Sequence, residues 1–259
     1  MRTVLICHED DPLNYTGMSR WLNSFTDLVG IVVLRETRQR KWKRLRREVK
    51  RVGLLRFLDV IAFRLFYRLA SAAKDRAWED ATLSSLCERY TEPSQAKVII
   101  APSPNTSEVE QFLKSVQPDM MLARCKTLLN QRIFSIPASG TFVMHPGICP
   151  EYRNAHGCFW AMVRGDYERI GMTLLRIDPG VDTGPVYDYH YWKGRPGNES
   201  HFVIQHAVVL DNLDRLADKL QGIHAGTEVP LDTNGRESRA WGQPWLTAWL
   251  KWKISGPRR

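Results

Sequence analysis

The chain has 259 residues, of which 43% are hydrophobic, and a net charge of +9. This size allows one large α/β domain with a small addition. No run of about 18 apolar residues is present, which argues against a membrane-spanning helix. The amino terminus lacks the pattern of a secretory signal. We therefore expect a cytoplasmic protein with reduced cysteines and anionic partners.

Buried strands and helices alternate through the first half of the chain. Apolar residues predict a strand over 3–7, a helix over 17–25 and a strand over 28–34, which together indicate a β-α-β unit. Three more strands are predicted, over 97–101, 119–123 and 142–144. Residues 1–222 are therefore predicted to form a Rossmann-like α/β domain, with an open, mainly parallel sheet and helices on both faces. The first loop lacks G-x-G-x-x-G, so a Rossmann-type dinucleotide site is not expected.

Residues 38–70 are predicted to be a basic amphipathic helical insertion. The segment is strongly basic as far as Arg51, and it fits one helix or two joined near Gly53. Aliphatic residues then recur at helical spacing: Leu54, Leu58, Ile61, Leu65 and Leu69. We expect this stripe to pack on the domain and the arginines to face water. The alternatives are peripheral contact with a membrane surface or an acidic protein, an anionic substrate, or nucleic acid.

Two apolar runs in the middle of the chain each lead into a turn rich in glycine and proline. His145 ends the first, and Asp182 lies in the turn of a predicted antiparallel hairpin over 171–191. Ligands gather at the carboxyl ends of strands in open α/β sheets. His145 and Asp182 are therefore the candidate catalytic pair. Cys149 lies close in sequence, so a Cys–His nucleophile is an alternative.

The last part of the chain is predicted to be helical, followed by an extension. Helices are expected over 157–165 and 200–220. The tryptophan-rich extension over 223–259 is expected to pack back onto the domain, with lipid headgroups as the alternative contact. The other histidines lack metal-ligand spacing, so no metal is expected.

The two motifs, taken together, carry a resemblance. The first includes His145-Pro146 and Tyr152-Arg153, and the second runs from Gly171-Met-Thr to Val181-Asp-Thr-Gly. In this order and at this separation they resemble the folate-dependent formyltransferase family, which includes glycinamide ribonucleotide transformylase, methionyl-tRNA formyltransferase and sugar-nucleotide N-formyltransferases. The resemblance covers residues 95–220 well and the first strands more weakly.

The resemblance implies roles for the candidate pair. Asp182 would orient His145 and favour its charged form, and His145 would stabilise the tetrahedral intermediate and move protons from the attacking amine. The family has an asparagine two residues before this histidine, where this chain has Val143. Valine cannot donate a hydrogen bond, and loss of one oxyanion donor typically costs roughly 10²–10³ in rate.

Three further residues follow the histidine motif. Asn154 and His156 are the candidates to replace the missing amide, although either could simply line the pocket. A backbone N–H or a water is a further alternative. Arg153 is expected either to clamp the loop or to contact an anionic substrate group.

The resemblance also implies the reactants. The expected donor is 10-formyltetrahydrofolate, bound by Cys125, Leu128, Ile177, Asp178 and Val181. The expected acceptor is the amine of an anionic small molecule, such as an amino sugar or a secondary metabolite. Because only a short extension follows residue 222, tRNA is not expected. One alternative is a divergent enzyme, either a deformylase or a carbamoyl or other acyl transferase. The other is a non-catalytic binding or regulatory protein that attaches to a membrane or a partner protein through residues 38–70.

Overall fold

The computed structural model describes residues 1–194 and 199–256. Its largest feature is a seven-stranded sheet of order β3-β2-β1-β4-β5-β7-β8, and β6 and β9 form a separate pair. The strands are β1 (Arg2–His8), β2 (Asp27–Leu34), β3 (Lys97–Ala101), β4 (Met120–Arg124), β5 (Gly140–His145), β6 (Arg153–Asn154), β7 (Gly171–Arg176), β8 (Val186–Tyr191) and β9 (Ala240–Trp241).

The sheet is mainly parallel, as the sequence predicts. Strands β3, β2, β1, β4 and β5 pair in parallel, whereas β7 and β8 are antiparallel. Both faces are covered, because Leu5 and Cys7 belong to one buried cluster while Val4 and Ile6 belong to another. Burial on both faces explains why these strands consist of continuous apolar residues. The predicted Rossmann-like α/β class is confirmed.

Helices surround the sheet. They are α1 (Ser19–Phe25), α2 (Arg38–Val52), α3 (Leu54–Ala70), α4 (Ala72–Arg89), α5 (Ser107–Val116), α6 (Gln131–Phe134), α7 (Gly157–Val163), α8 (His201–Leu210), α9 (Leu213–Ala225) and α10 (Leu246–Ser255). A π-helical turn, Leu13–Met18, precedes α1. The helix predicted over 200–220 is two helices, α8 and α9. Across the described residues, no helix combines the length and apolar character needed to span a bilayer.

The predicted insertion over 38–70 consists of two helices. They meet at Gly53, whose φ of 80° lies outside the helical region and is reached without strain only by glycine. The Thr37 side chain accepts a hydrogen bond from the backbone N–H of Arg40 and caps the start of α2. Of the two predicted arrangements, the structure therefore has two helices joined at Gly53.

The expectation that the aliphatic stripe packs on the domain is wrong. Leu54, Leu58, Leu65 and Leu69 are 64%, 55%, 57% and 80% exposed, and Ile61 is 39% exposed. The buried face of α3 is instead built mainly from valine and aromatic residues.

Ring contacts explain which face is buried. The ring centroids of Phe63 and Phe159 of α7 lie 5.2 Å apart, and those of Phe66 and Trp249 of α10 lie 4.5 Å apart. Helical spacing identifies an apolar face, but α3 has two such faces, and aromatic rings bury more area than leucines do. The larger aromatic face therefore packs inward.

The carboxyl-terminal segment packs on the domain, as expected. Strand β9 pairs in parallel with β6, so Trp241 lies beside the loop that follows His145. The Trp241 ring stacks on Trp160, with centroids 4.9 Å apart. Farther along, the indole N–H of Trp252 donates to the Tyr167 hydroxyl over 3.0 Å. The division of the chain at residue 222 stays a prediction.

Candidate active site

His145 is the last residue of β5 and is 4% exposed. Its Nε2 lies 2.9 Å from the Tyr152 carbonyl oxygen, and its Nδ1 lies 3.4 Å from Asp182 Oδ2. A carbonyl and a carboxylate are both acceptors, so a charged imidazolium can donate to each, whereas neutral imidazole can donate to only one. The shorter bond, to the Tyr152 carbonyl, anchors the ring, and the contact with Asp182 is the weaker of the two.

Asp182 reaches His145 from the turn between β7 and β8. Its backbone φ of 51° is left-handed, a conformation that Asp adopts more readily than most residues. The same Oδ2 accepts the backbone N–H of Asn154 over 2.8 Å. Asp182 therefore touches both the end of β5 and the segment after it, and the predicted pair is brought together.

The loop after His145 is held by close backbone approach. A Cβ on Gly147 would lie 2.4 Å from the Tyr152 carbonyl oxygen, and a Cβ on Gly157 would lie 2.5 Å from the Gly147 Cα. Thr173 of β7, which is fully buried, donates its hydroxyl to the Gly147 carbonyl and accepts the Cys149 N–H. These contacts fix the carbonyl that anchors the His145 ring.

Arg153 clamps two segments onto the site. Its Nη1 donates to the Val181 carbonyl over 2.8 Å, and its Nε donates to the Ser238 hydroxyl over 3.0 Å. The first bond secures the residue next to Asp182. This bonding favours the loop-clamp interpretation over contact with an anionic substrate.

The two predicted replacements for the missing amide lie in different surroundings. The Asn154 side-chain amide donates to the Trp241 carbonyl of β9, so one of its hydrogens is already used. His156 precedes α7, and burial lowers the pKa of its imidazole to about 4, so the ring is neutral near pH 7. Its buried Nδ1 has no hydrogen-bond partner among the described residues.

His156 lines a cavity of about 190 Å³. The other walls come from α3, α8 and the segment before α10: Phe63, Arg64, Tyr67, His201, Phe202, Gln205, Gln243 and Pro244. His201 lies 5.6 Å from His156 between ring centroids, and burial lowers the pKa of His201 to about 3. An unpartnered nitrogen in a mostly aromatic cavity is suited to a ligand with one polar group.

Val143 lies two residues before His145 on the same strand, so both side chains point to the same face of the sheet. Val143 packs against the small buried cluster of Cys149, Leu175 and Val186. The side chain at position 143 therefore provides no hydrogen-bond donor. Cys149 itself is buried, and burial raises the pKa of its thiol, which disfavours the thiolate that a Cys–His nucleophile needs.

The residues predicted to hold the donor lie in two loops. Leu128 is 64% exposed, and the Cys125 thiol donates to the Thr127 carbonyl. In the other loop, Asp178 accepts the Gly180 N–H and the Thr183 hydroxyl, while Val181 meets Arg153. Ile177 donates its N–H to the Thr141 carbonyl at the start of β5. Val181 is thus joined to the dyad segment, whereas the Leu128 carbonyl accepts from the Asn105 side-chain amide and Cys125 packs on a buried cluster of the sheet.

The sequence reasoning missed Arg124, at the end of β4. Its Nη1 donates to the Met144 carbonyl over 2.7 Å, and its Nε donates to Asn14 Oδ1 over 2.6 Å. Burial lowers the pKa of the guanidinium, although Asp11 acts in the opposite direction. The position was detectable, because Arg124 ends an apolar run just as His145 does. No group of three potential metal ligands occurs among the described residues.

The central segment of the chain is similar to formyltransferases. The sequence model described as formyl transferase matches residues 73–193. A methionyl-tRNA formyltransferase of Dehalococcoides mccartyi is 37% identical over 81 residues, which cover 31% of this chain and 26% of that protein. One from Neisseria meningitidis is 32% identical over 122 residues, which cover 44% and 39%. The chain thus spans between a quarter and two fifths of the length of these relatives.

Solved structures show the same fold at low identity. Glycinamide ribonucleotide transformylase 1 of Symbiobacterium toebii aligns with a TM-score of 0.57 and 12% identity, covering 92% of this chain and 93% of that one. A sugar N-formyltransferase from Shewanella sp. aligns with a TM-score of 0.53 and 11% identity, covering 93% and 77%. These proteins therefore share the fold of this chain.

Proposed function

Because the sequence model described as formyl transferase matches residues 73–193, we propose that the protein transfers a formyl group from 10-formyltetrahydrofolate to the amine of a small molecule. The observation that supports this most is the His145–Asp182 pair, held at the carboxyl end of β5 within the matched segment. The acceptor is proposed to be an amino sugar or a secondary-metabolite amine. Residues 38–70 precede the matched segment and stay a predicted contact surface.

The donor supplies an activated formyl group. The residues proposed to hold it are Cys125, Leu128, Ile177, Asp178 and Val181, as the resemblance implies. Three of these five side chains are aliphatic, and Leu128 is exposed enough to cover a flat aromatic ring. The Asp178 carboxylate is already bonded within its own loop. This mostly apolar set suits a pteridine ring better than a phosphate.

His145 and Asp182 are proposed to perform the chemistry. The carboxylate holds the ring and offsets its positive charge, and the charged ring stabilises the negative charge that develops on the formyl oxygen. The acceptor nitrogen forms a bond to the formyl carbon, the bond from that carbon to N10 of the folate breaks, and the proton lost by the amine passes by way of His145 to N10 of the departing tetrahydrofolate. The Nδ1–Oδ2 contact of 3.4 Å is the longer of the two that the ring makes, so Nδ1 is the nitrogen proposed to exchange Asp182 for a reactant. The anchored Nε2 keeps the ring in place meanwhile.

The cavity beside His156 is proposed to receive the acceptor. The segment 153–156 links it to Asp182, because the Asn154 N–H bonds that carboxylate. His156 Nδ1 is the proposed polar contact, and the rings of Phe63 and Tyr67 supply apolar walls. Val143 favours a second candidate, a divergent acyl or carbamoyl transfer, because its side chain lacks the family's oxyanion donor.

An acceptor screen tests the proposal. The full chain is mixed with 10-formyltetrahydrofolate and a panel of nucleotide-linked amino sugars, aromatic amines and methionyl-tRNA, and formylated products are identified by mass spectrometry. We expect a formylated small amine that forms with the wild type and is lost in His145→Ala. Carbamoyl phosphate as the only productive donor would favour the second candidate. No binding of a formyl-folate analogue by calorimetry would overturn the folate proposal.

A further inference from the structure

The positive charge of the protein is concentrated in one place. Residues 38–70 contain twelve lysines and arginines and two acidic residues, a net charge of +10, whereas the whole chain has +9. The rest of the chain is therefore almost neutral. A charge this localised acts as a surface for an anionic partner rather than as a general solubilising charge.

The α2 cations face solvent and are mostly uncompensated. Arg38, Arg40, Lys43, Arg46 and Arg47 are all exposed. Among the α2 cations whose side chains the structure describes, ion pairs with described residues are formed only by Arg44, with Glu36, and Arg51, with Glu48. Most of the α2 charge is therefore available for an external anion.

The aliphatic stripe of α3 lies beside this charge. Leu54, Leu58, Ile61, Leu65 and Leu69 follow each other at intervals of three or four residues along one side of α3. This side is opposite the buried Phe63, so the stripe is an outward ridge about 22 Å long. Trp42 of α2 is also 62% exposed. Tryptophan is enriched where proteins meet the membrane interface.

We infer that α2 and α3 form a peripheral membrane-binding surface for bilayers that contain anionic lipid. The α3 leucines would enter the boundary between headgroups and acyl chains, while the α2 arginines and lysines contact anionic headgroups. This inference does not depend on formyl transfer.

Charge and shape distinguish this occupant from others. A second copy of the chain docked here would place two positively charged surfaces against each other, and like charges repel. A folded acidic protein would need a groove shaped to a leucine ridge, whereas a bilayer accepts a convex ridge without one. The opposite face of α3 contributes Phe63 and Tyr67 to the His156 cavity. If the ridge contacts a bilayer, the His156 cavity therefore lies on the side of α3 that faces away from the bilayer.

Vesicle cosedimentation of the full chain tests the inference. Phosphatidylcholine vesicles are compared with vesicles that also contain phosphatidylglycerol, at low and high salt. We expect the wild type to sediment with the anionic vesicles and not with the neutral ones. Arg46→Glu with Arg47→Glu should lower the partition coefficient on the order of 100-fold at low salt. Leu58→Glu with Leu65→Glu should lower it at every salt concentration, by roughly 10-fold or more.

Matched variants outside the surface serve as controls. Val229→Glu changes another exposed aliphatic residue, and Lys97→Glu reverses another exposed cation. Both should bind vesicles like the wild type, and circular dichroism should show all variants folded. Equal loss of binding in the controls, or no binding of the wild type, would overturn the inference. A wild-type dimer in analytical ultracentrifugation that Leu58→Glu dissociates, without vesicle binding, would assign the ridge to a second copy.

Discussion

The loop around His145 and the α2–α3 pair hold their functional side chains by different means. Around His145, single atoms are fixed by long-range hydrogen bonds and by glycines that admit close backbone approach. On α2 and α3, the relevant groups are numerous, exposed and mostly unbonded to the rest of the chain. The first arrangement suits chemistry, which depends on position. The second suits adhesion, which depends on the sum of many weak contacts.

The largest expected effect separates the two regions by activity. His145→Ala should lower turnover by roughly 10³-fold, because it removes the group proposed to stabilise charge and transfer the proton. Asp182→Asn should lower it by roughly 10²-fold. The measurement is the rate of product formation with the acceptor found in the screen. His224→Ala, at a partly exposed histidine on α9, is the control and should keep the wild-type rate. Full activity in His145→Ala would place the chemistry elsewhere.

The next effect concerns the backbone around the site. Gly147→Ala should lower the free energy of unfolding by about 2–3 kcal/mol, because its Cβ would meet the Tyr152 carbonyl oxygen at 2.4 Å. The measurement is urea unfolding followed by circular dichroism. An unchanged urea midpoint in Gly147→Ala would show that the loop after His145 is not tightly packed. The loop would then not differ from α2 and α3 in how its side chains are held.

Buried histidines should make stability depend on pH. The pKa of His201 is lowered to about 3 and that of His156 to about 4, so the folded protein keeps both rings neutral while the unfolded chain protonates them below pH 6.5. The unfolded state then binds more protons, and the free energy of unfolding should fall as pH decreases from 7 to 5.

A variant isolates this contribution. We expect His201→Phe to reduce the loss between pH 7 and pH 5 by about 2 kcal/mol, because phenylalanine cannot take up a proton. Urea unfolding at both pH values measures the difference. The same slope in the wild type and in His201→Phe would assign the pH dependence to other groups.

The smallest expected effect lies on the α3 ridge. Leu58→Ser and Leu65→Ser should each change the free energy of unfolding by less than about 0.5 kcal/mol, because both side chains are more than half exposed. Leu174→Ala, at a fully buried position of β7, is the reference and should cost about 2–5 kcal/mol. A loss of about 2–5 kcal/mol in Leu58→Ser would mean that this side chain is buried in the folded protein. The contrast between the exposed α3 ridge and the loop around His145 would then be wrong.

The order of the elements and the His145–Asp182 pair could be predicted from the sequence. The strands are apolar throughout because both of their faces are buried, and this pattern is local. The two ionisable residues follow such runs directly. Periodicity also identified the amphipathic character of residues 54–69.

What could not be predicted depends on contacts distant in sequence. Thr173 supports a loop 26 residues away, and Arg124 reaches a carbonyl 20 residues away. The prediction of which α3 face is buried was wrong, because aromatic partners on α7 and α10 decide which apolar face packs inward. The His156 cavity likewise requires four separate segments of the chain to meet.

The pairing of β6 with β9 has a consequence for how this site can evolve. Asn154 donates its backbone N–H to Asp182 and its side-chain amide to the Trp241 carbonyl, so the carboxyl-terminal segment shares a residue with the His145–Asp182 pair. A duplication or recombination event that exchanged the carboxyl-terminal segment alone would therefore also alter the setting of Asp182. The segment and the dyad are coupled through Asn154, even though more than 50 residues separate Asp182 from Trp241 in the chain.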